Sequence, residues 1–176
     1  MRFMIATLLT ALAAATSIHA EELITQKELD DTLLAAQEAA LADDFPRAFE
    51  LYSRAAQWGH KGSQYVLGEL YLRGKGVARD PVVGAAWLEV ASEAPDQEYK
   101  RALRKAEKSL TESERAAADK LAEKISAAYG MRAAGVVCRT STRTGSNFRQ
   151  VNCAHSKAPN GELIVPDYQG EIYPAS

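Results

Sequence analysis

The chain has few of the side chains that enzymes use for nucleophilic catalysis or metal binding. Its 176 residues include two cysteines and three histidines. Its sequence contains no His-Glu-x-x-His zinc helix, no Gly-x-Ser-x-Gly nucleophile turn and no Cys-x-x-Cys pair. Its formal net charge is −2, so the chain has no overall attraction to nucleic acid or to anionic membranes. We therefore expect a protein that is not an enzyme, uses no cofactor or metal, and does not bind nucleic acid.

The first twenty residues have the order of a secretory signal. A positive start, Met1-Arg2, precedes a mostly apolar run over residues 3–15, and Ile18-His19-Ala20 ends in a small residue before Glu21. The apolar run is shorter than the roughly 20 residues that span a bilayer, although an N-terminal membrane anchor is the alternative. We expect residues 1–20 to be a signal peptide. The mature protein would then be periplasmic or secreted, with no stable membrane span.

Export changes the meaning of the two cysteines. In an oxidising compartment Cys138 and Cys153 are expected to form a disulfide. A two-residue turn at Gly145-Ser146 would place them directly opposite each other in a β-hairpin, and a longer loop is also compatible. The alternatives are a redox pair or a metal site that uses His155, although Cys-x-His alone has too few ligands for zinc. We predict a disulfide-linked hairpin over residues 131–155, followed by an extended C-terminal tail over residues 156–176, which contain three prolines.

An internal repeat organises the region between these two ends. Residues 48–56 match residues 84–92 at an offset of 36, with small and large apolar residues at corresponding positions. The spacings of three and four place each set on one stripe of a helix. We predict three helix pairs, and we expect His60 to have a structural role in the turn between units. The predicted pairs are residues 26–42 with 45–58, 62–73 with 81–93, and 97–109 with 112–129.

This pattern resembles the Sel1-like repeat of the tetratricopeptide superfamily. The likeness is carried by residues 55–60, Leu67-Gly68-Glu69-Leu70-Tyr71, residues 74–77, Asp80 and Trp87. Gly84 is a departure, because the family usually has alanine at that position. The resemblance implies an all-α fold, a short right-handed solenoid of about three helical hairpins over residues 21–130, followed by the small hairpin and the tail.

The resemblance also implies a binding site. In tetratricopeptide-like stacks the first helix of each pair lines a concave groove, which on this chain would be apolar at one end and basic at the other. Such a groove suits an extended peptide. The alternative is that Tyr65 and Leu72 only pack against the tail. The residues expected to line the groove are Leu33, Gln37 and Leu41 from the first pair, Tyr65, Glu69, Leu72 and Arg73 from the second, and Arg101 and Lys105 from the third.

Charge is distributed unevenly along the chain. Residues 132–157 contain five basic and no acidic residues, whereas residues 21–50 contain nine acidic and two basic residues. The basic hairpin could dock an acidic partner or extracellular nucleic acid. The simpler interpretation, which we favour, is a solvated hairpin whose arginines discourage further strand pairing.

These features support three hypotheses about function. The first is an exported adaptor that binds a protein or peptide partner in the helical groove. The second is a cell-wall ligand binder or hydrolase, because some exported Sel1-like proteins are linked to peptidoglycan and β-lactams, although those are cysteine-rich within each repeat. The third is self-association, with the C-terminal tail of one copy filling the groove of a neighbour.

We predict that the mature protein begins at Glu21, because Ala20 is the small residue at the end of the signal-like segment. Intact mass measurement of the exported protein tests this directly. A mass that includes Met1, or the apolar segment over residues 3–15, would show that the segment is retained as an anchor.

Overall fold

Six helices and four short strands make up the part of the chain that the structure describes. The computed structural model describes residues 22–142, 149–157 and 160–165, so the predicted signal peptide and the Gly145-Ser146 turn lie outside the described residues. The three predicted helix pairs are confirmed, with ends that differ from prediction by only a few residues. The helices are α1 Gln26–Leu41, α2 Phe45–Gln57, α3 Lys61–Arg73, α4 Pro81–Ala91, α5 Gln97–Glu107 and α6 Glu112–Tyr129, and the strands are β1 Glu22–Ile24, β2 Val136–Thr142, β3 Arg149–His155 and β4 Leu163–Val165.

Each helix begins at a polar side chain that accepts hydrogen bonds from the exposed amides of the first turn. Asp80 accepts from the backbone N–H groups of Val82 and Val83, both at 3.0 Å, with Pro81 at the first helical position. Thr25 and Thr111 form capping boxes with Glu28 and Glu114. These capping residues explain why the start of each helix could be predicted from the sequence.

Helices α3 and α4 cross at two glycines. A Cβ atom placed on Gly68 would lie 2.8 Å from the carbonyl oxygen of Gly84, and one placed on Gly84 would lie 2.9 Å from the carbonyl oxygen of Gly68. Leu88 and Leu72 cover the crossing, each packed over the glycine of the other helix. The glycine at position 84, where the family usually has alanine, therefore permits a closer approach of the two backbones than alanine would.

Helix α4 forms the centre of the core. Trp87 is completely buried, and its ring stacks on Tyr129 of α6 with centroids 6.1 Å apart. Helix α4 contacts α3, α5 and α6. Helices α5 and α6 each contact α4 more extensively than they contact each other. The third pair is therefore more open than the first two, and it closes the stack by sharing α4.

The predicted disulfide and hairpin register are confirmed. Cys138 and Cys153 are bonded, with their Cα atoms 3.9 Å apart. They are directly opposed in the antiparallel pairing of β2 with β3, which runs from Val136 opposite His155 to Thr142 opposite Arg149. The bond therefore joins the two strands of one hairpin.

The C-terminal region differs from the simple extended tail that we expected for residues 156–176. Residues 163–165 form β4, which pairs antiparallel with β1 at the start of the helical region. Leu163 and Val165 are each 1% exposed and pack in a cluster with Ile24, Leu29 and Trp58. This burial of apolar side chains makes the described part of the tail a packed element of the helical domain.

The hairpin is attached to the helices at the turn between α2 and α3. Nε2 of His155 donates a hydrogen bond to the carbonyl oxygen of Trp58 at 2.6 Å. A Cβ on Gly59, whose φ is +88°, would lie 2.2 Å from Cβ of Ala134, so only glycine permits this approach. His60 has the structural role expected of it, because its Nδ1 accepts a hydrogen bond from the Ser63 amide at 3.1 Å and caps α3.

We predict that the fold becomes less stable as the pH falls, because both histidines at this attachment are partly buried. Burial lowers the pKa of His60 from 6.5 to about 4, reinforced by His155 and opposed by Asp30, and burial also lowers the pKa of His155. The unfolded chain therefore binds protons more readily than the folded protein, so these histidines cost no stability above their unfolded pKa and destabilise the fold progressively between pH 6.5 and about 4. Urea unfolding across this range should show a decreasing midpoint.

The matched variant for this prediction is His60→Asn, because asparagine is a good N-cap that does not titrate. The decrease between pH 6.5 and 4 should be smaller in this variant, with the remainder due to His155 and the carboxylates. An equal decrease in the parent and the variant would contradict the role assigned to His60.

Candidate partner-binding groove

A shallow groove runs between α3 and α5. One part of about 320 Å³ is lined by side chains that include Tyr65 and Glu98, and an adjoining part of about 220 Å³ extends past Leu72 to Ser109. We call these two parts the α3–α5 groove. It brings together six of the nine residues predicted to line the groove: Tyr65, Glu69, Leu72, Arg73, Arg101 and Lys105.

The helical repeat explains why these side chains converge. Residues 65, 69, 72 and 73 lie on one face of α3, at spacings of four, seven and eight residues, and residues 101 and 105 are one turn apart on α5. Because both helices pack against α4, their outer faces flank a common cleft.

The first helix does not contribute to this groove. Leu33 packs against the cluster that contains Leu163 and Val165, and Gln37 is exposed on α1. Leu41, which we expected at the apolar end, is 86% exposed. The structure thus places Leu33 against β4, and it places Gln37 and Leu41 outside the α3–α5 groove. Partner binding by these three residues stays a prediction.

The floor of the groove is apolar and partly aromatic. The Tyr65 ring stacks on Tyr99 with centroids 4.9 Å apart, and its hydroxyl donates to Oε1 of Glu98 at 3.2 Å. Leu72 and Ala102 pack beside it against Leu88 and Ala106. Tyr65 and Leu72 thus pack against α5, and among the described residues of the tail none belongs to this cluster.

Tyr65 is a hydrogen-bond donor over the physiological pH range. Burial, followed by the nearby carboxylates of Glu98 and Glu69, raises the pKa of its hydroxyl to about 12. Tyr99, which completes the aromatic pair, was not predicted from the sequence. It precedes the two predicted α5 residues on the same helix, and it is the only aromatic residue of that helix, which is the signal that could have identified it.

The rim of the groove carries more positive than negative charge. Glu69 forms an ion pair with Arg73 one turn along α3. Nε of Arg79 donates to the carbonyl oxygen of Leu72 at 3.0 Å, which holds this side chain at the rim. Four cationic side chains, Arg73, Arg79, Arg101 and Lys105, stand around two carboxylates, Glu69 and Glu98. Basic and apolar surfaces therefore lie side by side, where we expected them at opposite ends.

A buried lysine, which we did not predict, joins α3 to α4. Lys61 is 1% exposed, and its Nζ donates to Gln64 Oε1 at 2.9 Å, to Val90 O at 2.9 Å and to Glu93 Oε2 at 2.7 Å. Burial lowers its pKa, while the Glu93 carboxylate opposes that shift. The network ties the start of α3 to the end of α4, so its role is structural.

A second concavity, of about 550 Å³, lies between α4 and α6, and it is acidic. Glu89, Glu93 and Glu123 are among its lining residues. Burial and the neighbouring carboxylates, Asp119 foremost, raise the pKa of Glu89. Within the described ranges, no group of three or more His, Cys, Asp or Glu side chains could hold a metal ion. This cleft has no aromatic side chain in its lining, so the α3–α5 groove is the better candidate for binding a partner.

Successive helix pairs pack side by side, and α4 contacts both its own partner α3 and the helices of the next pair. This arrangement defines a helical-repeat protein. The family model for the Sel1 repeat matches residues 40–60 and 62–96. These two segments, which cover α2, α3, α4 and the turns between them, are therefore Sel1-like repeats. The resemblance inferred from the sequence is confirmed.

One solved structure similar to the chain is that of a protective antigen present in uropathogenic Escherichia coli strains, described as displaying an SLR fold. The two are 27% identical and align with a TM-score of 0.49, over 58% of this chain and 23% of the antigen. The chain thus matches less than a quarter of the antigen's length. A search of curated proteins finds no significant match. In the part of the chain that the structure describes, no helix is long and apolar enough to cross a membrane.

Proposed function

We propose that this protein is an exported adaptor that binds an extended segment of a protein partner in the α3–α5 groove. The observation that carries the proposal is the convergence of aromatic, apolar and cationic side chains from two helices in one cleft. Sel1 repeats typically mediate protein interactions, which supports a binding role for the helical domain. The partner segment would be extended, with apolar side chains and a net negative charge.

The chemistry of the groove supports this class of partner. Tyr65, which lines the groove and is held by its stacking on Tyr99, offers a rigid aromatic surface. Tyrosine and arginine are favoured at the energetically dominant positions of interfaces. The excess of cations at the rim favours carboxylates on the partner and would increase its association rate at low salt. Leu72 supplies an apolar contact between these two features.

An exported location is consistent with the disulfide. Disulfides persist in oxidising compartments and are rare in the cytosol, so the bond between Cys138 and Cys153 supports a periplasmic or secreted protein. The signal-like segment over residues 1–20 supports the same location.

The function is tested by capturing envelope components on the immobilised mature protein and comparing two double variants. Arg101→Glu with Lys105→Glu reverses the charge of the groove rim on α5. We expect retention of protein partners to fall by at least about tenfold, equivalent to about 1.4 kcal/mol. Binding of the parent should also weaken as salt is added, because the charges at the rim are exposed.

The matched control is Arg104→Glu with Lys108→Glu. It changes the net charge by the same amount on exposed positions at or next to the end of the same helix, and neither residue lines the groove. It should retain the partners of the parent. Equal losses in the two double variants would contradict the groove as the site, and retention of muropeptides without protein would support the cell-wall hypothesis in its place.

A further inference from the structure

The apolar surface of α1 is unusually exposed. Leu34 is 57% exposed and Leu41 is 86% exposed. These leucines are seven residues apart, so they lie on one stripe of the helix, about 10 Å from each other. Glu38 lies between them and Asp30 lies one turn before them, and both are exposed. We call these four residues the α1 stripe.

The outer face of the hairpin has the opposite charge. Val137, Arg139 and Ser141 of β2 are exposed and stand opposite Ala154, Asn152 and Gln150 of β3. Val137 is 53% exposed, and a shallow concavity of about 520 Å³ lies beside it and Arg139. Because residues 132–157 contain no acidic side chain, the local field is positive.

The large hydrophobic side chains that are exposed in the described part of the chain are Leu34, Leu41 and Val137, and each belongs to one of these two surfaces. We propose that the α1 stripe of one copy docks on the outer face of the β2–β3 hairpin of a second copy. The leucines cover Val137 and its concavity, and Glu38 meets Arg139.

Charge selects this contact over the alternatives between copies. Two α1 stripes placed together would bring Asp30 and Glu38 against like charges, and two hairpins would bring their arginines together. Of these three contacts, only that between the α1 stripe and the hairpin face pairs opposite charges and also covers exposed apolar groups on both surfaces. The dimensions also agree, because the outward-facing residues Val137, Arg139 and Ser141 extend over about 13 Å, against about 10 Å between Leu34 and Leu41.

The contact is separate from the proposed peptide site. Neither the α1 stripe nor the outer hairpin face contributes to the lining of the α3–α5 groove. Self-association and partner binding can therefore fail independently. The contact also differs from tail insertion, since Leu163 and Val165 of the described tail are buried in their own chain.

Sedimentation velocity of the full mature protein over a wide range of concentrations tests the proposal. The parent should shift from monomer to a larger species as its concentration rises. Leu34→Ser with Leu41→Ser changes exposed positions only, so it should keep the parent's circular dichroism spectrum and raise the dissociation constant by on the order of tenfold or more. A parent that remains monomeric throughout would overturn the proposal.

A charge exchange tests which surfaces meet. Glu38→Arg and Arg139→Glu should each weaken self-association, because each creates a like-charge contact. An equimolar mixture of the two variants should associate as the parent does, since the reversed charges pair across copies. The control Glu50→Arg changes an exposed acid on α2 and should leave association unchanged. Loss without recovery in the mixture, or no loss in either variant, would overturn the assignment of the surfaces.

Discussion

The close crossing of α3 and α4 is the constraint on which the rest of the structure depends. Two backbones can approach this closely only because neither Gly68 nor Gly84 has a side chain. The approach allows Leu72 and Leu88 to seat over the opposite helix, and it leaves α4 buried along nearly its whole length. Helices α5 and α6 then pack on α4, and the position of α5 beside α3 creates the groove.

Polar contacts then fix the ends of the helices that the crossing brings together. The Lys61 network joins α3 to α4, and Gln64 adds hydrogen bonds to the carbonyl oxygens of Ala56 and Tyr129. A lysine without these partners would be costly to bury, so the network also selects one arrangement of the helices. The disulfide-linked hairpin is held at the adjacent turn through Trp58 and His155. The repeat domain and the hairpin are thus one packed unit at this point.

Features encoded by local sequence could be predicted, and those created by long-range packing could not. Helix starts are marked by capping residues such as Asp80 and Thr111, and the strand register follows from the position of the cysteines. The pairing of β1 with β4 joins residues about 140 apart along the chain, and three-residue strands leave no recognisable period. That pairing is why the packing of Leu33 against β4 was not predicted. Lys61 was missed because lysine is almost always exposed, and its burial depends on Glu93, 32 residues away.

The crossing is tested most directly by comparing the urea unfolding of Gly84→Ala with that of Gly62→Ala. Alanine is a better helix former than glycine by roughly 1 kcal/mol, so helix propensity alone favours both changes. At Gly62 the nearest obstacle is the side chain of His60, whereas at Gly84 it includes the backbone carbonyl of Gly68. The account predicts that Gly84→Ala lowers the free energy of unfolding by about 1–3 kcal/mol, while Gly62→Ala leaves it unchanged or slightly higher. Equal or greater stability of Gly84→Ala relative to the parent would contradict the close crossing.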